Sequence, residues 1–185
     1  MTVPDWRSIT EWCLGANDRF GTCFFAMVGN FRVANGEPAM PDGEIENAAR
    51  EMEGFNPYDP ATDHGENLEA GFKYIHDNGW PGDPTQRIAS WTKVALPQLA
   101  DTLNHRNGAP AWLMLPMTAD GTGYDFSDDA LARNAPGVYA HAVLVVYAAP
   151  EGLTFITWAN PQGVSAKWAE TYFKGFYDVV WEDVA

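Results

Sequence analysis

The feature that most limits how this chain folds is a change of hydrophobic pattern near its middle. Before Ala109 four segments have helical length: the mostly apolar Cys23 to Val33 (CFFAMVGNFRV), Glu44 to Met52 with acidic residues in its first turn, Glu66 to Asn78 with apolar positions partly on one face, and Leu96 to Asn107. Turn and cap signals bound them, with Asn35-Gly36 after the first, Pro41-Asp42-Gly43 before the second and Asn78-Gly79 after the third. Phe55 to Gly65, with two prolines, reads as a loop. After Ala109 the apolar runs are short and β-rich: Ala111 to Met117, Ala142 to Tyr147 and Leu153 to Trp158, separated by Gly and Pro turns. Helices followed by strands predict an α+β domain rather than alternating βαβ units.

At 185 residues the chain is long enough for one well-buried core and too short for two ordinary domains, so a single domain over 1–185 is expected. Eleven Lys and Arg against 25 Asp and Glu give a net charge of -14, with no basic cluster to neutralise a phosphate backbone. Nucleic acid and anionic membranes are excluded as expected partners. The longest apolar runs fall far short of the roughly 20 residues of a spanning helix. The N-terminal MTVPDWRSITEW has neither a basic nor an apolar leader region, which makes a cytoplasmic location the expectation. Two cysteines, Cys13 and Cys23, do not make a disulfide framework.

Cys23 opens the first helical segment, where the positive end of the helix dipole stabilises a thiolate. The competing reading is a small core hydrophobe, the commoner fate of a free cysteine. Three segments bear on the choice: Asn17 to Met27 (NDRFGTCFFAM), Gly137 to Val146 (GVYAHAVLVV) and Phe155 to Gly163 (FITWANPQG). In this order and spacing they resemble the papain-like cysteine peptidases, and the resemblance runs over nearly the whole chain. It implies a papain-like fold: a helical half over about 1–95, an antiparallel, barrel-like half over about 96–185, and a cleft between them. It also implies Cys23 as nucleophile, His141 as base, Asn160 as the residue orienting the base, and Asn17, six before the cysteine, in place of the family's oxyanion glutamine. Asn is one methylene shorter than Gln, so it reaches the oxyanion only if its loop is drawn inward. Gly65 to Trp80 resembles the cleft-lining turn and helix of the family, which makes Gly65, Glu66 and Ala140 the expected substrate-binding positions.

The chain departs from the family pattern in several places. Gln162 stands where the family has a tryptophan that shields the imidazole, leaving Trp158 or Trp168 as substitutes. Phe20 replaces a cleft cysteine, and Glu66 replaces a small residue of the cleft wall. Only 22 residues precede Cys23, so no inhibitory propeptide is expected. His64, His76 and His105 lack the spacing of zinc motifs, and neither metal nor cofactor is expected. The aromatic cluster Trp168, Tyr172, Phe173, Phe176, Tyr177 and Trp181 reads as packing that closes the sheet rather than as a binding platform.

The implied chemistry is acyl transfer on a peptide or isopeptide amide. Hydrolysis, deamidation and transfer to another amine share the intermediate and stay open. The alternative is a catalytically weak papain-fold protein that serves as a binding or structural subunit of a larger assembly.

Overall fold

The computed structural model describes residues 5–183. Three helices come first: α1 (Cys23–Ala34), α2 (Asp42–Glu53) and α3 (Leu68–Asn78). The remaining elements are β1 (Gln86–Val94), α4 (Leu99–His105), β2 (Ala109–Pro116), α5 (Asp128–Ala132), β3 (Gly137–Ala149), β4 (Gly152–Thr157), β5 (Asn160–Ser165), α6 (Ala166–Tyr172) and β6 (Phe173–Asp183). The protein is therefore α+β, with N-terminal helices followed by a six-stranded sheet.

The strands run in the order β1-β6-β2-β3-β4-β5, every neighbouring pair antiparallel. The sheet is open, with β1 and β5 at its edges, which corrects the expectation of a barrel-like half. The C-terminal aromatics do not close a ring. β6, which carries Phe173, Phe176, Tyr177 and Trp181, is instead inserted between β1 and β2, while Trp168 and Tyr172 belong to α6, and all of these but Trp181 are buried. The helical half is also shorter than expected, because β1 lies within residues 1–95. A register irregularity between Ile88 and Ser90 hides its period-two pattern, and only Ile88 is buried.

Both faces of the sheet are covered. Ala142, Leu144 and Val146 of β3 pack with α1 and its neighbours in one core. Val143 and Val145 pack with Leu99, Ala130 and Trp168 of α4, α5 and α6 in a second. A strand buried on both faces reads as a continuous apolar run, which is the character of Ala142 to Val146.

α1 is apolar nearly all round, with Phe24 to Phe31 buried, so it forms the middle of the helical layer. The buried Asn30 pins the preceding segment by accepting from the Cys13 N–H at 2.7 Å and donating to the Cys13 carbonyl at 3.2 Å. α3 approaches α1 at Gly71, where a Cβ would lie 2.2 Å from the fully buried Phe24 ring. Asn67 caps α3 through the Glu69 and Ala70 N–H groups. Glu66 thus belongs to the loop ahead of the helix and not to its first turn. The segment read as one helix over Leu96 to Asn107 is a 3-10 turn at Leu96–Gln98, with Pro97 inside it, followed by α4. No helix among the described residues is long and apolar enough to cross a membrane.

Candidate functional site

Cys23 is the first residue of α1, and the turn before it is held from two directions. The Thr22 hydroxyl donates to the Gly15 carbonyl at 2.6 Å instead of capping the helix. The Gly21 N–H donates to both Asp63 carboxylate oxygens, at 2.8 and 3.0 Å. A Cβ at residue 21 would lie 2.5 Å from that carboxylate, so this grip requires glycine. With no side-chain cap, the N–H groups of Cys23 and Phe24 are left facing the sulfur, joined by the Ala142 N–H from β3.

Burial nevertheless dominates the thiol. It pushes the Cys23 pKa up, those three N–H groups oppose the rise, and the nearby Glu53 charge adds to it. This corrects the expectation that the helix terminus alone favours the thiolate. Cys23 and Cys13 are both free.

Cys23 and His141 line one cleft of about 560 Å³ between the helical layer and the sheet. Gly65, Glu66 and Ala140 line it too, together with His64, Glu69, Lys93 and Tyr177. The expected substrate-binding positions are therefore brought together with the expected nucleophile and base.

His141 is 5% exposed, and burial lowers its pKa to about 4, so the ring is neutral at neutral pH. Nε2 lies 2.8 Å from Thr157 Oγ1. Nδ1 has no hydrogen-bond partner among the described residues, and the residue itself lines the cleft. The indole of Trp158 stacks on the imidazole with ring centroids 4.6 Å apart, 15° from parallel, and Tyr124 stacks on the other side of Trp158 at 5.3 Å. Of the two shields considered from sequence, Trp158 fills the place. Trp168 is buried in the second core, its indole N–H donating to the Asp125 carbonyl at 3.1 Å.

The neighbour of His141 Nε2 is thus Thr157 and not Asn160. β4 and β5 are joined by a two-residue turn, Trp158-Ala159, both at positive φ (44° and 58°), which leaves Asn160 paired with Thr157 at the start of β5. Asn160 is exposed, and its side chain folds back to donate to the Trp158 carbonyl at 2.7 Å. The signal for Thr157 was available in the hairpin register: with Leu144 opposite Ile156 and Val145 opposite Phe155, residue 157 falls on the diagonal from residue 141.

Asn17 reaches the site through its backbone, its carbonyl accepting from the Trp158 indole N–H at 3.1 Å. Its side chain makes no hydrogen bond among the described residues and is not part of the cleft lining described above. Two acids went unnoticed in the sequence: Asp63, which grips the turn before Cys23, and Glu53 at the end of α2, one of whose carboxylate oxygens is buried without a partner. Burial and the charges of Glu66 and Asp63 raise the Glu53 pKa to about 7. Among the described residues no group of three or more His, Cys, Asp or Glu side chains converges as a metal site would require. No protein-family model matches the chain, and no curated protein matches its sequence.

Proposed function

We propose that the chain is a thiol hydrolase of papain-like fold, acting on a peptide or isopeptide amide through an acyl-enzyme on Cys23. The observation that carries this reading is the shared cleft: a thiol at a helix N-terminus and an imidazole held at Nε2 line the same space. With its proton on Nε2 the neutral ring donates to Thr157 and offers Nδ1 as an acceptor. The Cys23 proton passes to Nδ1 as the sulfur bonds to the carbonyl carbon. The backbone N–H of Cys23 holds the oxyanion, while Asn17, whose side chain is not on the cleft lining, takes part only through the carbonyl that accepts from the Trp158 indole N–H. The imidazolium returns its proton to the departing nitrogen as the C–N bond breaks, and water, activated by the same ring, then cleaves the thioester. The Trp158 face steadies the transient positive charge on the ring.

The alternative of a catalytically weak binding subunit draws support from the same burial. The thiol is pushed up and the imidazole down, so no thiolate–imidazolium pair stands ready at rest. Labelling with a thiol-directed epoxide near neutral pH, mapped by mass spectrometry, separates the two. Under the hydrolase reading Cys23 is alkylated far faster than Cys13, and the advantage is lost in His141→Ala. Equal, slow labelling of both cysteines in the unmodified protein overturns it.

A further inference from the structure

The turn between β4 and β5 takes a shape that its own residues do not favour. A two-residue hairpin turn with both residues at positive φ ordinarily holds Asn or Gly, whereas here Trp158 (φ 44°) and Ala159 (φ 58°) occupy it. Such a turn persists only where its surroundings hold it. The Asn160 side chain holds the Trp158 carbonyl, and the indole N–H is held by the Asn17 carbonyl at 3.1 Å, on the segment that leads into α1. The indole face is held by Tyr124, whose ring lies 4° from parallel at a centroid distance of 5.3 Å, and Phe126 meets the same indole at 6.3 Å. Both rings come from the β2–α5 loop, which is itself tightly bound. The Thr118 N–H donates to the Gly123 carbonyl at 2.9 Å, and the Thr118 and Thr122 hydroxyls donate to Asp120 at 2.7 and 2.8 Å. The Asp125 N–H donates to the Pro116 carbonyl at 2.9 Å, and the Asp125 carbonyl accepts from the Trp168 indole at 3.1 Å. A loop with little freedom thus delivers Tyr124 to a turn that needs support.

Through the indole the same support reaches the base, because the rings stack in the order Tyr124, Trp158, His141. The contact with Thr157 fixes one atom of the imidazole and leaves the ring free to tilt about it, whereas the indole face fixes its plane. A proton acceptor works only when it is aimed along the line of transfer. We infer that Tyr124 is a positioning residue, which acts through Trp158 to set the plane of the His141 ring and so the direction of its proton transfer with Cys23. The inference rests on the hydrolase reading of Cys23. Tyr124 stands one ring removed from the base, and its contacts with Trp158 and with Tyr139, 6.0 Å away, are made by its ring. Phenylalanine can therefore replace it, and an aliphatic residue cannot.

The test reads the base and the chemistry separately. Its probe is p-nitrophenyl acetate: the Cys23 sulfur bonds to the acetyl carbon, the thiol proton passes to His141, the C–O bond breaks and p-nitrophenolate leaves. The burst of phenolate reports single-turnover acylation, and mass spectrometry confirms Cys23 as its site. The titration and ring-proton shifts of His141 are followed by NMR. Tyr124→Leu is expected to slow acylation about tenfold, near the upper end of what one aromatic stack supplies, and to move the His141 resonances. Tyr124→Phe restores both. Ala159→Gly added to Tyr124→Leu recovers part of the rate, because glycine takes a positive φ without support. Leu99→Ala, which opens the second core from α4, lowers the melting temperature and moves neither readout. Tyr124→Met, unbranched and able to fill the gap, gives the same result as Tyr124→Leu and is read in its place where the latter fails to fold. If the folded variant acylates within a factor of two of the parent and leaves the His141 resonances in place, the positioning role is wrong and the hydrolase reading stands. If the unmodified protein gives no burst at Cys23, the hydrolase reading fails and the positioning role falls with it.

Discussion

The two walls of the cleft are built on different principles. On the sheet side each polar group is placed by strand register and sealed by stacking: His141 sits on β3, Thr157 lies on its diagonal in β4, and Trp158 covers the ring from the turn that follows. On the helical side the groups come from a helix start, a loop and a helix end, at Cys23, Asp63, Glu66 and Glu53, and one carboxylate oxygen is left without a partner. A register-built wall fixes the direction of a ring nitrogen. A loop-built wall concentrates charge without neutralising it. The contrast is between a direction set by strand register and a charge left in place by loops.

Removing the base breaks the sheet wall outright and carries the largest expected effect. His141→Ala lowers single-turnover acylation of Cys23 by roughly 10²–10⁴, the range for a positioned general base. A variant within a factor of two of the parent would show that His141 takes no part. A subtler cut tests aim alone. Thr157→Val removes the hydroxyl from Nε2 while keeping the shape, and acylation slows about tenfold, the scale of one hydrogen bond. Thr157→Ser restores the rate, and the titration of His141 followed by NMR moves in Thr157→Val and returns in Thr157→Ser. Asn160→Ala leaves both readouts in place, because that side chain bonds only its own turn. If Asn160→Ala were the damaging variant and Thr157→Val silent, the assignment at Nε2 would be reversed.

What could be read in advance divides along the same line. The helices α1 and α3 announce themselves through apolar positions closed by Asn35-Gly36 and Asn78-Gly79, and α2 through the turn at Pro41-Asp42-Gly43 and the acids that follow it, since a helix and its caps are local. The doubly buried strand β3 shows as an unbroken apolar run. β5 (NPQGVS) does not, because an edge strand with only Val164 buried has no apolar pattern to display. β6 looked like aromatic packing because its place between β1 and β2 is a long-range fact that no local pattern carries. Cys23 and His141 stood out as residue types in a recognisable setting. Thr157 is a common strand residue whose role appears only when the register is worked out. Glu53 ends an amphipathic helix like any solvated acid, and the burial and the charges of Glu66 and Asp63 that raise its pKa come from parts of the chain distant in sequence.

Glu53 also gives the smallest effect, and it sharpens the charge side of the comparison without touching the chemistry. Burial first, then Glu66 and Asp63, hold its folded pKa at about 7, well above the roughly 4.3 of an unperturbed glutamate. Between those values the folded protein keeps a proton that the unfolded chain has lost, so this group's contribution to stability declines as pH rises from about 4.3 to about 7. Glu53→Gln removes a charge that is buried near others of its sign above that window and replaces a neutral carboxyl with a neutral amide below it. The expected outcome is a variant that melts higher than the parent at pH 8 and close to it at pH 4.5. His141 makes the opposite contribution in both proteins: its folded pKa of about 4 lies below the unfolded value, so its stabilising effect falls away as pH drops toward 4. Because that contribution is common to parent and variant, the difference between their melting curves isolates Glu53. A difference that is the same at both pH values would mean that the carboxyl is not held up by its neighbours, and the helical wall would then carry less stored charge than the cleft geometry implies.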